Sequence, residues 1–159
     1  VLRADGHIDA AVVRAIMELR SAIAPDAARR AAQRRREPQC AALEAAAAAM
    51  ADATADLALL QERALQFWRI LIEAADNLAY RLAFNGLRET YDRARVLLAP
   101  VLADELGDAA AYAAIAAAVR AGQAAAAGAL AAELVQRGEA AVGRALERIA
   151  GDGEEETTR

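Results

Sequence analysis

The residue types that most often carry catalysis are scarce in this sequence, and their spacing forms no catalytic motif. Ser21, Cys40 and His7 are each the single residue of their type, and none is spaced with a partner as a triad would require. No phosphate-binding glycine loop or zinc-ligand spacing is present, and the lack of lysine excludes a Schiff-base lysine within this chain. We therefore predict that the chain is not an enzyme, with no catalytic residue and no cofactor.

Five residues have types suited to binding a small molecule. Arg20 could bind a carboxylate or phosphate, and its replacement by alanine is expected to weaken binding without unfolding the domain. Trp68 and Tyr112 offer apolar rings with polar tips. Asn85 could orient a polar ligand atom, and Gly138 could leave room for a ligand beside the backbone. Each also has a structural interpretation, as an exposed arginine, a core ring, an interhelical hydrogen bond or close helix packing, and the sequence leaves these open.

The elements that must position these residues are helices, because apolar residues recur with helical period and no segment alternates as a strand does. Pro25 is expected to kink or restart the first helix, and Asn77 is a candidate cap for a later one. The seven predicted helices cover residues 8–36, 38–50, 55–75, 78–98, 101–106, 108–121 and 123–150.

Short connections between long helices imply antiparallel neighbours. The predicted fold class is therefore all-α, an antiparallel bundle of about six to seven helices. The 159 residues correspond to about one domain, and 57% of them are hydrophobic, which is a globular composition. Residues 151–159 are polar and acidic and are predicted to form a disordered tail.

Charge and cysteine content limit the classes of partner. The net charge is −4, unlike the basic surface of a nucleic-acid-binding domain. Cys40 is the single cysteine, which fits a reducing compartment, and the longest apolar run is far shorter than the ~20 residues that span a bilayer. We expect a cytoplasmic, bacterial protein with no membrane partner. Because the first residue is Val1 and not methionine, we also expect that an N-terminal part is missing.

Three stretches resemble a known family. Ile16-Met17-Glu18-Leu19-Arg20, followed by Pro25 and Ala27-Ala28, resembles the opening of the FCD ligand-binding domain of GntR-type transcription regulators. The stretch 67–91, with its Ala74-Ala75-Asp76-Asn77, Tyr80, Leu82, Asn85-Gly86 and Tyr91, looks like the FadR-like subfamily. The stretch 115–122 is similar to the penultimate helix of such domains. The resemblance covers residues 5–149.

This resemblance implies a helical bundle around a central effector pocket, in a homodimer that controls DNA binding. The bundle would occupy residues 8–150, and residues 1–7 would end the interdomain linker. Operator DNA would be contacted only through an N-terminal winged helix-turn-helix, which is absent from this chain.

The resemblance also bears on metal and effector. Many FCD domains hold a metal with one aspartate and three histidines; here those positions fall on Ala64, Trp68, Tyr112 and, near the last helix, Leu134 or Gln136. None of these can replace that ligand set, so no metal is predicted. The FadR-like branch lacks the metal and takes a long-chain acyl-CoA, which implies an acyl-CoA, a fatty acid or another anionic metabolite here.

Two other functions stay open at this point. A structural helical module that only dimerises or docks a partner would have a filled interior, whereas a sensor would have a cavity of a few hundred Å³. A small helical enzyme would bring polar groups together in one cleft, with Arg20, Asn85 or Glu89 beside a carboxylate.

Overall fold

A computed structural model describes the backbone of residues 9–53 and 56–157, and the side chains of that part except 89–97 and 151–157. The predicted linker, residues 1–7, lies outside it. The described chain forms seven helices and no strand, which confirms the predicted all-α class. The helices are α1 (Ala10–Arg34), α2 (Glu37–Ala51), α3 (Leu57–Ala74), α4 (Leu78–Leu98), α5 (Ala103–Leu106), α6 (Ala109–Arg120) and α7 (Ala124–Thr157).

Short polar side chains define where several helices begin. Asp9 accepts hydrogen bonds from the first backbone N–H groups of α1, and Asp56 does the same for α3. Asp108 caps α6 in the same way. The predicted cap at Asn77 is confirmed, because its Oδ1 accepts from the backbone N of Ala79 at 3.0 Å. These bonds satisfy donors that have no partner within a helix.

Two helix boundaries differ from those predicted. Pro25 does not restart the first helix, because α1 continues through it to Arg34. Tertiary packing outweighs the hydrogen bond lost at proline, since buried alanines on both sides of Pro25 pack in the core. At the other end, α7 continues past Ala150 to Thr157, where a disordered tail was expected. An interior glycine such as Gly151 costs a helix about 1 kcal/mol but does not by itself end it.

The long helices α1 and α7 run antiparallel along each other through the centre of the bundle. Ser21 contacts Glu139, and further along α1 the carbonyl of Pro25 faces Gly128 on α7. The buried face of α1 is mostly alanine, which allows the two helices to approach closely. The buried residues of this face are Val13, Met17, Ala24, Ala27, Ala28, Ala31 and Ala32.

The remaining helices surround this pair. α2 packs on α3 and α6, and α3 also packs on α1, α4 and α5. The short α5 joins α4 to α6 and contacts both α3 and α7. No helix within the described ranges has the length and apolar character needed to cross a membrane. Between α1, α3, α4 and α5 the packing of the described residues is open.

Candidate functional site

The open region is a cavity of about 80 Å³, which is neither a filled interior nor the few hundred Å³ expected of a sensor. Its wall is mostly aliphatic, with a few polar groups concentrated near α5. The described residues that line it are Ile16, Met17, Arg20, Ile23, Ala24, Gln61, Ala64, Leu65, Trp68, Ile72, Phe84, Leu87, Arg88, Leu102, Glu105 and Leu106. Two of the five predicted site residues, Arg20 and Trp68, are among them.

Arg20 reaches the cavity from α1, but it already has an acidic partner. Its Nη2 donates to Oε1 of Glu105 on α5, and the Arg20 and Glu105 side chains are 20% and 3% exposed. The guanidinium carbon of Arg20 also lies 5.9 Å from the ring centroid of Trp68. That distance is within the range of a cation–π interaction. The predicted anion-binding arginine is therefore held between a carboxylate and an indole.

Glu105 is a buried, cavity-lining residue that sequence reasoning missed. It is nearly fully buried, between the buried Leu102 and Leu106, and among the described residues its Oε2 has no hydrogen-bond partner. Burying a carboxylate with an unmatched oxygen is costly, so such a group needs an explanation. Little in the sequence points to it, because Glu105 is one of two acidic residues in the four-residue helix that ends at Leu106.

Gly138 does not open space for a ligand as expected; that space holds Glu105. A Cβ at position 138 would overlap Oε2 of Glu105 and would lie 3.0 Å from Cδ2 of Leu102. Gly138 is buried and is not part of the cavity wall. The glycine thus permits α5 to place a carboxylate against the backbone of α7.

The aromatic residues form one cluster behind the cavity. The Phe67 ring packs edge-on against Trp68 at 5.7 Å and against Tyr112 at 5.0 Å, measured between centroids. Trp68 and Tyr112 are 6.4 Å apart. Trp68 lines the cavity, whereas Tyr112 is fully buried behind it and does not. Within the described residues, the buried Nε1 of Trp68 has no hydrogen-bond partner.

Two amide side chains differ in burial and in their place relative to the cavity. Asn85 is exposed on α4 and is not among the residues lining the cavity, so the structure does not bring it to the site. Gln61 on α3 was not predicted, yet it is 1% exposed and lines the cavity. Among the described side chains, the polar groups at the cavity are therefore Gln61, Arg88, the Trp68 indole and the Arg20–Glu105 pair.

A second ion pair lies next to α5. Arg137 on α7 donates to Asp108 at 2.5 Å, just beyond the end of α5. This hydrogen bond is the main reason that the pKa of Asp108 lies below its ordinary value, and the backbone N–H of Ala111 adds to it. The pKa of Arg137 is raised, first by the same bond and then by the charges of Asp108, Glu133 and Glu105. Arg137 is therefore held mainly by Asp108, and Glu105 adds a smaller electrostatic attraction.

The positions at which related domains hold a metal do not fit one here. Ala64, Trp68, Tyr112 and Leu134 are all buried, and none offers a carboxylate or imidazole. Among the side chains that the structure describes, no three His, Cys, Asp or Glu residues are grouped as a metal site requires. The prediction that no metal binds still requires metal analysis.

The chain is thus an all-α bundle with an apolar cavity beside a part-buried ion pair. Residues 15–137 match the FCD domain family, and the chain belongs to that family. This match confirms the assignment to GntR-type regulators that the residues indicated.

Two curated relatives are transcription regulators. The chain is 33% identical over 88 residues to the HTH-type transcriptional regulator Mce2R of Mycobacterium tuberculosis. It is equally similar to an uncharacterized HTH-type transcriptional regulator of Mycobacterium bovis. The alignment covers 55% of this chain and 36% of each relative. No solved structure matches the chain significantly. Family and relatives together support a regulatory role.

Proposed function

We propose that this chain is the effector-sensing domain of a transcription regulator, and that its effector is a small, largely apolar molecule with an acidic group. The observation that carries the proposal is the cavity itself, with an aliphatic wall and Arg20 at its polar end. Ligand sites of this kind combine apolar walls with a few polar groups that orient the ligand.

Cavity size narrows the effector class. The cavity of about 80 Å³ exceeds the roughly 10–15 Å³ needed to hold one water molecule. It is smaller than the roughly 300–1,000 Å³ of sites for drug-sized ligands. A short carboxylic acid suits this volume, whereas a long-chain acyl-CoA would require the helices to separate. Of the effectors implied by the family resemblance, we therefore favour the acid over the thioester.

The complete regulator would act through a second domain. Both curated relatives are named HTH-type regulators. We propose that operator DNA is bound by such a domain outside this chain, in a homodimer. For the effector to change DNA affinity, it must bind one arrangement of the domains more tightly than the other. Native mass spectrometry of the isolated chain tests the dimer, and a monomer at all concentrations would contradict it.

The fluorescence of Trp68 gives a direct binding test, because it is the single tryptophan and lines the cavity. We expect saturable changes in its emission with hexanoate or octanoate, and weaker ones with their coenzyme A thioesters. Ala64→Leu, which fills the cavity wall, should abolish the response. Ala58→Leu, on the exposed side of the same helix, should preserve it.

If none of these compounds binds, in fluorescence or in calorimetry, the sensor proposal is overturned. The chain would then be better described as a dimerisation or docking module.

The polar groups at the cavity do not favour an enzyme. Arg20 does lie beside a carboxylate, as a helical enzyme would require, but its guanidinium has no acceptor and stays charged. The other polar lining groups among the described residues are an amide, an indole and the exposed Arg88. We propose that bound acids and thioesters are released unchanged. Chromatography after prolonged incubation tests this, and turnover of either compound would contradict it.

A further inference from the structure

We propose that Glu105 is an internal competitor for the effector's acidic group, and that the effector binds Arg20 by displacing Glu105, which alters the contact between α5 and α7. This inference rests on the proposed function, because it describes how the same cavity recognises its ligand. Four observations on named contacts support it.

First, Glu105 occupies the anion-binding position with one oxygen. Oε1 accepts from Arg20, while Oε2 is directed at Gly138 and has no hydrogen-bond partner among the described residues. A ligand carboxylate that approaches from the cavity can use both oxygens on a guanidinium, and two parallel charge-assisted bonds are stronger than one. A ligand carboxylate with both oxygens hydrogen-bonded would avoid the unmatched oxygen that Glu105 leaves at Gly138.

Second, Arg20 is held in place while its partner changes. The guanidinium carbon of Arg20 lies 5.9 Å from the Trp68 ring centroid, within the range of a cation–π interaction, and both residues line the cavity. This attraction does not involve Glu105, so it remains when the partner of Arg20 changes. Arg20 can thus present the same donors to Glu105 or to a ligand.

Third, the buried position of Glu105 is costly, and a second cation lies nearby. The side chain is 3% exposed and leaves one oxygen unsatisfied. Leaving this position relieves that cost, provided that the carboxylate reaches water or another positive group. Arg137 on α7 is half-exposed, lies within electrostatic range of Glu105 and already binds Asp108 at the end of α5.

Fourth, Glu105 lies on an element that can carry the change. α5 has only four residues, and it contacts α3 on one side and α7 on the other. The contact with α7 at Gly138 is made by Glu105 and Leu102. Removing the carboxylate from Gly138 therefore changes how α5 packs on the longest helix of the bundle. This couples the occupancy of the cavity to the packing of α7.

The competition is tested by comparing a charged and a neutral ligand of the same length. In calorimetric titrations, Glu105→Gln should bind hexanoate at least about tenfold more tightly than wild type, which is the effect of one charge-assisted hydrogen bond. Affinity for 1-hexanol should be unchanged. Gly138→Ala, which expels the carboxylate sterically, should also strengthen hexanoate binding. Circular dichroism will establish that each variant is folded.

Glu139→Gln is the matched control, because it removes the same charge from α7. Glu139 contacts Ser21 and does not line the cavity. The affinity of the Glu139→Gln variant for hexanoate should equal that of wild type. A tightening as large as that of Glu105→Gln would show a general charge effect and would overturn the competition.

The outcomes separate the two proposals. If wild type binds hexanoate and Glu105→Gln binds it equally or more weakly, the competition is overturned while the sensor function stands. If neither protein binds hexanoate or 1-hexanol, the sensor function fails and the competition fails with it. Hydrogen exchange tests whether ligand binding loosens the packing of α5 on α7. Hexanoate should accelerate amide exchange in α5 of wild type, and unchanged exchange there would overturn this part of the proposal.

Discussion

Gly138 and Glu105 are complementary, since the side chain missing from one makes room for the carboxylate of the other. Oε2 of Glu105 lies where a Cβ at position 138 would be, and Leu102 closes the same space from the side. The glycine is thus explained by packing between α5 and α7. Through Glu105 it is also linked to Arg20 and to the cavity wall.

Replacing this glycine should destabilise the fold. Gly138→Ala would force Glu105 away from Arg20, and we expect a loss of about 1–3 kcal/mol in the free energy of unfolding. The loss should appear although alanine is favoured over glycine in a helix by up to about 1 kcal/mol. Urea denaturation measures it. Gly143→Ala is the control, because a Cβ there meets nothing within 4 Å. It should stabilise the same helix, and equal effects of the two substitutions would contradict the explanation.

A second glycine is required by its backbone conformation. Gly122 follows α6 with φ +70°, and a Cβ there would lie 2.6 Å from the guanidinium of Arg35. Arg35 in turn donates to the carbonyl of Arg120 at 3.0 Å, which is one of the free carbonyls at the end of α6. Gly122→Ala should therefore lower the free energy of unfolding by about 1–2 kcal/mol. Thermal denaturation measures this, and an unchanged melting temperature would contradict it.

Arg20→Ala is expected to weaken effector binding without unfolding the domain. The pairing of Arg20 with Glu105, which is 3% exposed, predicts in addition a loss in the free energy of unfolding. Removing one member of a buried pair costs about 3–5 kcal/mol, because the other charge is left without compensation. We expect a loss near the lower end, since Arg20 is itself 20% exposed. The double variant Arg20→Ala, Glu105→Gln should recover much of it; additive losses would contradict this coupling.

Acid should weaken the contact between α1 and α4. Asp26 accepts a hydrogen bond from Tyr80 and a second from Arg30, and in that order they hold its pKa below the ordinary value of 3.8. A lowered pKa in the folded state adds stability above the unfolded pKa, and this is lost as the pH falls from about 5 through the folded value. Unfolding of wild type and Asp26→Asn, measured between about pH 7 and pH 3, should show a difference that shrinks on acidification. A difference independent of pH would contradict this.

Much of the fold follows from local sequence. Helical periodicity predicts all seven helices, and Asn77 is recognisable as a cap because a short polar side chain there can satisfy a free backbone N–H. Such signals act over a few residues, so they can be recognised without knowledge of the tertiary structure. They fail at Pro25, where the distant packing of α1 on α7 outweighs a local break.

The site depended on contacts between residues far apart in the chain. The sequence alone indicates Arg20 and Trp68 as candidates, because their side chains have the right chemistry whatever surrounds them. Only the tertiary structure pairs Arg20 with Glu105, which is 85 residues away, and places Gly138 behind that carboxylate. It also leaves Asn85 at the surface and buries Gln61. Side-chain chemistry is a local property, whereas burial and charge pairing arise only when the helices pack.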